Sequence, residues 1–347
     1  MDRWELRRQD YTLDSDQETV RDAFGDFFTK ESPSTVVRAA EPLGYDADLW
    51  NKLIGMGVTT MSLPPDLDGD GATLVDLALI AEGLGRSLAP VPLVSHVAVT
   101  RLLARTGADR QLIDAAAAGV PPIALALSPT AGRDSMLVPD AAIASDVVAL
   151  ADDELVLHRA GAPSAHVVNH GNTPLGRWRP DATDERVVLA TGTQAREQFT
   201  RTVREWKLLT AAALIGLTDA ALDIAVEFAK TRETLGVPIG SLQGVSFPLA
   251  DVAINVSGGR NLVWRAAWMA EHEPQARPEL SIMAFANATR VATHGATTAA
   301  HMQGGLGFTV EADASLYFVR AKGWGALAGD PMLDLAEVGR TLVDGVS

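Results

Sequence analysis

The chain has 347 residues, no cysteine and a formal net charge of −15 at pH 7. The acidic balance disfavours binding to nucleic acid or to an anionic membrane, and the absence of cysteine excludes disulfides, thiolate metal sites and a cysteine nucleophile. Residues 1–17 contain no apolar h-region and no run of about 18 apolar residues follows, so we expect a cytoplasmic protein without a secretory signal or a membrane span.

Apolar residues recur at helical spacing through the first third of the chain. The predicted helices cover residues 15–31, 46–56, 73–88 and, as two helices, 91–118. Asp14 to Asp16 can cap the first helix, and the segment 62–72, dense in Pro, Gly and Asp, is predicted to be a loop. These elements define an N-terminal helical domain over residues 1–119.

Short β-branched runs separated by turn residues predict a small antiparallel β domain over residues 120–195. The runs are IALALS, AAIASDVVAL, ELVLHRA, AHVVNHG and RVVLAT. The segment 171–185 between the last two runs is predicted to be a loop. His158, His166 and His170 fall within this domain, but no carboxylate pattern accompanies them, so we predict no metal site.

Longer helical patterns return after residue 195. They cover residues 200–230, 247–272, 279–302, 312–328 and 332–345. The first is apolar nearly all round, which predicts a helix buried on most of its surface. Its polar stripe consists of Asp219, Asp223, Glu227 and Lys230. Pro248 is placed in the first turn of the second helix. The predicted fold class is mostly α, with a small β domain and a C-terminal four-helix bundle over residues 196–347.

Two segments of the predicted bundle carry motifs. They are RETLGVPIGSLQGVSFPLAD, residues 232–251, and HMQGGLGFTVEADASLYFVRAK, residues 301–322. The first resembles the R-x-x-F-G-x-x-I-x-x-F-Q…L-A-D signature and the second the Q-x-x-G-G-x-G-F segment of the acyl-CoA dehydrogenases. The order of helices, β domain and bundle is also that of the family, so the resemblance spans nearly the whole chain. It implies FAD-dependent oxidation of an acyl-CoA thioester, in which a carboxylate takes the α proton and the β hydrogen leaves as hydride.

The resemblance places the family's catalytic Glu at one of two positions, which hold Ala328 and Trp206 here. Neither side chain accepts a proton. Glu205, next to Trp206, is the alternative base, and its other interpretation is a surface or cap-region charge. The family's T-E-x-x-x-G-S-D loop and K-x-W-I strand are also missing, since the comparable segments read LSPTAGRDSMLVP and DDELVLHRA. We therefore do not expect this subunit to hold a flavin ring of its own.

The motifs that are present imply a half-site, meaning a set of residues that contacts the FAD of a neighbouring subunit. The residues implied are Arg232, Thr234, Gln243, His301, Gly304 and Gly305. Arg232 supplies a bidentate fork for phosphate, and the glycines let backbone N–H groups approach a ligand closely. The alternatives are structural: helix caps for Arg232 and Gln243, an interhelical turn for the glycines, and an interior histidine for His301.

A subunit with these features resembles the smaller subunit of the actinobacterial heteromeric enzymes, α2β2 assemblies that act on steroid side-chain CoA thioesters. This resemblance implies an FAD shared with a larger acyl-CoA dehydrogenase paralogue, an acyl-CoA substrate and an electron-transfer flavoprotein as a further partner. Two alternatives stay open. One is a self-sufficient homotetrameric dehydrogenase that uses Glu205, and the other is a flavin-free helical scaffold or regulatory subunit.

Overall fold

The computed structural model describes residues 12–159, 161–182 and 185–344. The chain divides into two compact units, each built from non-contiguous segments. The sheet unit comprises Thr35–Thr73 and Pro90–Trp206. The bundle unit comprises the chain up to Ser34, Leu74–Ala89 and the chain from Lys207 onward.

The helices of the first third lie where the apolar spacing predicts them, with one additional short helix, α2. They are α1 Ser15–Glu31, α2 Ser34–Ala39, α3 Ala47–Ile54, α4 Leu74–Ser87, α5 Leu93–Thr106 and α6 Arg110–Ala117. Helix α1 begins at a capping box. The Asp14 carboxylate accepts the N–H groups of Asp16 and Gln17 at 3.0 and 2.9 Å, and the Gln17 side chain accepts the Asp14 N–H at 3.1 Å. These local bonds satisfy donors that the helix itself leaves free, and they fix the first residue of α1.

Among the described residues, seven short strands build the sheet unit. They are β1 Ile123–Leu125, β2 Met136–Val138, β3 Asp146–Ala151, β4 Glu154–Arg159, β5 Ala165–His166, β6 Gly176–Trp178 and β7 Arg186–Thr191. They form a four-stranded sheet of order β1-β3-β4-β7 and a three-stranded sheet of order β2-β6-β5. Strand β1 runs parallel to β3, so the predicted all-antiparallel pairing is wrong for this strand.

The prediction of a loop over residues 171–185 is also wrong in part, because β6 lies within it. This strand pairs with β2 in antiparallel register, with Trp178 opposite Met136. Small aliphatic side chains surround Trp178 in the core of the sheet unit. The cluster consists of Ala124, Ala126, Met136, Val138, Ala141, Ala144, Val147, Ala149 and Trp178. Burial of the indole against these side chains is what holds so short a strand in place.

Of the remaining helices, the first three are longer than any helix before them. In chain order, the remaining helices are α7 Gly192–Thr231, α8 Gln243–His272, α9 Leu280–Met302, α10 Asp313–Gly325 and α11 Pro331–Asp344. Helix α7 has 40 residues and is long and apolar enough to cross a membrane, but its most apolar stretch is 78% buried inside the protein. It is therefore a core helix, as its continuous apolar pattern predicts.

The bundle unit brings α4 and α7 into backbone contact. A Cβ atom on Gly85 of α4 would lie 1.8 Å from the carbonyl oxygen of Ala213 on α7, so only glycine fits at this crossing.

Arginines from neighbouring helices bind the acidic end of the α7 polar stripe. Arg86 of α4 pairs with Asp219 and, at 2.7 Å, with Asp223, while Arg260 of α8 reaches Asp219 and Glu82 at 2.7 Å each. Burial raises the pKa of the Glu82 carboxyl although the Arg260 guanidinium lies beside it. This network links α4, α7 and α8 through ion pairs.

Candidate cofactor half-site

Arg232 follows the end of α7 and opens a small β-hairpin. The hairpin strands are β8 Glu233–Thr234 and β9 Val237–Pro238, and the Ile239 N–H donates to the Arg232 carbonyl at 2.8 Å. The two loop residues, Leu235 and Gly236, have φ angles of +52° and +78°. Positive φ at both positions is the geometry of a type I′ turn, which glycine adopts freely and leucine does not.

The residues of this hairpin are exposed. Arg232 and Thr234 are exposed, and Leu235 at the tip is 90% exposed. Within the described residues, the Arg232 guanidinium has no ion pair or hydrogen bond, so it is available to an external anion. Its backbone position just beyond α7 suits the cap interpretation, but the side chain itself makes no capping bond there.

Helix α8 begins at Gln243, which is exposed. Leu242 supplies no side-chain cap, and in the described part of the chain the N–H groups of Gln243 and Gly244 donate no hydrogen bond. Uncapped N–H groups at a helix start carry partial positive charge and attract anions. The sequence predicts that this helix begins at residue 247 with Pro248 in its first turn, but α8 begins at Gln243, so Pro248 is its sixth residue. Because proline has no N–H group, the Gly244 carbonyl accepts no hydrogen bond from position 248.

The second motif begins in the last turn of α9. His301 lies in the last turn of α9 and is exposed, which excludes the interior-histidine interpretation. Gly304, with φ +60°, and Gly305 are exposed, and a Cβ atom on either would meet nothing within 4 Å. Gln303, which the sequence analysis did not single out, is buried, and its amide nitrogen has no hydrogen-bond partner among the described residues. The turn thus presents open backbone outward.

The hairpin and the glycine turn belong to the same unit, but among the described residues no hydrogen bond joins their side chains. Their available groups are one guanidinium, the N–H groups of a helix start and the backbone around Gly304 and Gly305. This donor set fits the phosphate and polar edges of a dinucleotide such as FAD. An apolar groove of about 540 Å³ lies beside the hairpin, between α7 and α8.

The two positions to which the resemblance assigns the family's base hold Trp206 and Ala328. Trp206 is 2% exposed, and its indole N–H donates to the Ser95 hydroxyl at 3.1 Å. Ala328 lies between α10 and α11, and its methyl group carries no proton acceptor.

Glu205 is the centre of a buried cluster in the sheet unit. Its carboxylate is 2% exposed, so the surface-charge interpretation is wrong. Oε1 accepts from Arg105 Nη1 at 2.9 Å and from Arg201 Nε at 3.2 Å, while Oε2 accepts from the same Arg105 atom at 3.0 Å and from Arg101 Nε at 3.3 Å. Burial raises the pKa of Glu205, but the three guanidiniums outweigh it and lower that pKa below its usual value. Glu205 is therefore held as a carboxylate, and both of its oxygens are occupied.

A polar cleft of about 720 Å³ opens in the sheet unit. Thr130, Arg133, Asp181 and Arg186 line it, together with His158. His158 is buried, neither of its ring nitrogens has a hydrogen-bond partner among the described residues, and burial and Arg186 lower its pKa. A neutral imidazole is thus present, but in the described part of the chain no three His, Asp or Glu residues are grouped to hold a metal.

Comparison with known proteins assigns the chain to a family. Residues 14–112 match the model of the acyl-CoA dehydrogenase N-terminal domain, and residues 197–342 match that of the acyl-CoA dehydrogenase C-terminal domain. The chain belongs to the acyl-CoA dehydrogenase family, whose members are FAD-dependent oxidoreductases.

Among its relatives is the acyl-CoA dehydrogenase IpdE2 of Mycobacterium tuberculosis (strain ATCC 25618 / H37Rv). It is 28% identical over 324 residues, which cover 92% of this chain and 95% of IpdE2. A solved variant of the Tcur3481-Tcur3483 steroid ACAD superimposes with a TM-score of 0.85 at 25% identity, covering 96% of this chain and 99% of that one. The ChsE4-ChsE5 complex from Mycobacterium tuberculosis gives 0.83 at 24% identity, with 96% and 99% coverage. These likenesses confirm the predicted acyl-CoA dehydrogenase fold over nearly the whole chain.

Proposed function

We propose that this chain is the non-catalytic subunit of a heteromeric acyl-CoA dehydrogenase and that it completes the FAD site of a larger paralogue. The assembly is a cytoplasmic α2β2 heterotetramer that takes an acyl-CoA substrate and passes electrons to an electron-transfer flavoprotein. When bound, FAD supplies the acceptor for the β hydrogen of the thioester. The larger subunit holds the flavin ring and the carboxylate base, and this chain contributes Arg232, Thr234, Gln243, His301 and the glycines at 304 and 305.

The proposal rests on the exposed hairpin, on its unpaired arginine and on the leucine at its tip. Arg232 presents a guanidinium without an acidic partner in the described chain, beside a helix start whose first N–H groups are free. Leu235 is 90% exposed and has a left-handed backbone conformation, which costs a leucine about 1–2 kcal/mol. A partner subunit that covers the hairpin explains both features, because it buries the leucine and brings an anionic ligand to the arginine.

The missing base supports the same assignment. A general base must reach the substrate and change its protonation state near neutral pH. Glu205 meets neither requirement, because its carboxylate is buried among three guanidiniums that lower its pKa. The homotetrameric alternative therefore has no suitable carboxylate at this position, and we assign Glu205 a structural role.

The substrate class is taken from similarity. The solved structure at 25% identity is named a steroid ACAD, and its name joins two proteins, Tcur3481 and Tcur3483. On this ground we propose a steroid side-chain CoA thioester as the substrate and a two-protein assembly for this chain.

Co-expression tests the proposal. The chain is produced alone and together with a larger acyl-CoA dehydrogenase paralogue from the same organism, and bound FAD and acyl-CoA oxidation are measured. We expect little flavin in the isolated chain and full occupancy with turnover in the complex. Arg232→Ala removes a charged phosphate contact worth about 1.5–3 kcal/mol, so FAD in the complex should dissociate about tenfold to a hundredfold more readily.

Arg277→Ala is the matched control, because Arg277 is an exposed arginine of the same unit that already pairs with Glu279. It should leave FAD affinity unchanged. Full FAD occupancy and turnover by the isolated chain would establish a self-sufficient enzyme. Unchanged FAD affinity in the Arg232→Ala complex would favour the flavin-free scaffold.

A further inference from the structure

His158 is a buried polar residue on a strand whose other buried residues are aliphatic. It belongs to β4, is 2% exposed and lies directly opposite Arg186 of β7. Its imidazole packs edge-to-face against Trp178 of β6, with ring centroids 5.0 Å apart. Within the described residues neither imidazole nitrogen has a hydrogen-bond partner. A buried polar group left without a partner destabilises the fold, so packing alone does not account for a histidine at this position.

The polar cleft of the sheet unit supplies that account, because His158 lines it. Burial and Arg186 lower the pKa of the imidazole, so it is neutral near pH 7. A neutral imidazole has one N–H donor and one bare nitrogen that accepts. A ligand that satisfies both nitrogens must therefore donate a hydrogen bond as well as accept one.

Apolar surface is scarce in this cleft. Apart from Gly132, its lining residues without a polar side chain are Ala131, Ala151 and Pro180. Sites that bind large apolar groups are lined mostly by hydrophobic and aromatic side chains. A flavin ring or an acyl chain therefore does not suit the cleft, which also shares no residue with the half-site.

Charged side chains of both signs surround the cleft. They are Arg133, Arg186, Asp134, Asp152 and Asp181. Arg186 pairs with Glu154 at 3.2 Å, whereas among the described residues the other four make no ion pair. A multiply charged anion would meet three carboxylates, and a cation would meet two guanidiniums. Hydroxyl groups carry no charge, donate to a carboxylate and accept from a guanidinium, so they match this lining.

We propose that the cleft binds a small, uncharged polyhydroxyl compound of the size of a monosaccharide. His158 is its buried contact, through hydroxyls that donate to one imidazole nitrogen and accept from the other. Arg133 and Asp181, both exposed, are its contacts near the protein surface. The volume of about 720 Å³ lies in the range of small-molecule sites, and dinucleotide-binding folds likewise use a carboxylate to accept from a ribose hydroxyl. This binding uses no FAD and does not depend on the proposed function.

Isothermal titration calorimetry on the purified full-length chain tests this proposal with three probes, D-glucose, D-ribose and myo-inositol. The ring-nitrogen NMR signals of His158 are followed during the same titrations. We expect at least one probe to bind saturably and to shift these signals. Sodium succinate, a small anion without hydroxyl groups, should do neither.

His158→Phe keeps an aromatic ring and removes both nitrogens. Affinity for the probe that binds should fall by about tenfold or more, because at least one buried hydrogen bond is lost. The urea midpoint should stay the same or rise, since the variant buries no unpartnered nitrogen. His170→Phe is the matched control, because His170 is an exposed residue of the sheet unit outside the cleft. This control should bind the probe as the wild type does.

Asp181→Asn tests the site without a change in the buried core. It replaces one acceptor oxygen by an NH₂ group and should weaken binding of the probe. Asp48→Asn, at an exposed aspartate of the same unit outside the cleft, should not. The proposal is overturned if no probe binds, if succinate binds as tightly as the best probe, or if His158→Phe or Asp181→Asn binds that probe like the wild type.

Discussion

Replacement of Glu205 by Gln separates a structural carboxylate from a catalytic one. The substitution preserves the shape of the side chain and removes its charge. In the folded chain this carboxylate is 2% exposed and accepts hydrogen bonds from Arg101, Arg105 and Arg201. A glutamine amide keeps one acceptor oxygen and turns an NH₂ group toward the guanidiniums.

The contacts set the size of the effect. Each carboxylate oxygen accepts two of the four hydrogen bonds, so Gln at position 205 loses at least two of them. Hydrogen bonds to charged groups contribute about 1.5–3 kcal/mol each. Removing one partner of a buried ion pair costs about 3–5 kcal/mol, because the other charge stays buried without compensation. We therefore expect Glu205→Gln to lower the free energy of unfolding by about 3–5 kcal/mol.

Urea unfolding followed by tryptophan fluorescence measures this difference. The matched control is Glu227→Gln, which makes the same change on the same helix. The Glu227 side chain is 68% exposed and pairs with Lys230 one turn away. An exposed pair of this kind contributes only about 0.5 kcal/mol, so the control should unfold close to the wild type.

The reasoning is refuted if Glu205→Gln and Glu227→Gln unfold alike. If the Glu205→Gln variant is as stable as the wild type but its complex, at normal FAD content, has no turnover, then Glu205 is the base. This result would support the homotetrameric alternative. Loss of stability with retained turnover in the surviving folded complex would agree with a structural carboxylate.

Three further predictions concern folding stability and are checked by urea unfolding. Because the folded-state pKa of Glu205 is lowered, its stabilisation is complete above the unfolded value of about 4.3 and is lost as pH falls through the folded pKa, so the difference between wild type and Glu205→Gln should shrink in acid. Gly85→Ala forces a Cβ against the Ala213 carbonyl and should cost about 3 kcal/mol, whereas Gly339→Ala, in open space, should add about 0.5–1 kcal/mol. Asp14→Ala removes the α1 cap and should cost about 1 kcal/mol.

Elements whose ends are set by residues close together in the sequence could be predicted. Helix α1 begins and ends where the sequence predicts, because Asp14 and Gln17 cap its start within four positions of the chain. Strand β6 was missed because it has three residues, and its pairing with β2 and the burial of Trp178 depend on residues far away in sequence. The parallel pairing of β1 with β3 was not predicted for a similar reason. All three residues of β1 are buried, so no alternation of buried and exposed positions indicates which strand lies beside it.

The residues of the candidate site likewise divide into those that the sequence could predict and those that it could not. Arg232 and Gly304 belong to motifs that can be read from the sequence, and the structure gives both the exposure that a half-site needs. Glu205 was misjudged because Arg101 and Arg105 come from α5, about a hundred positions earlier. The available signal was that α5 carries two arginines one turn apart and no acidic residue, and buried cations of this kind require an acidic partner.

The conformation of Leu235 bears on how this sequence responds to redesign. A type I′ turn favours Asn or Gly at that position, and Leu235→Asn should stabilise the isolated chain by about 1 kcal/mol. A redesign that optimises only the folding energy of the single chain would therefore replace this leucine. On our proposal, the same change removes an apolar contact to the partner, so a more stable monomer would be a poorer subunit.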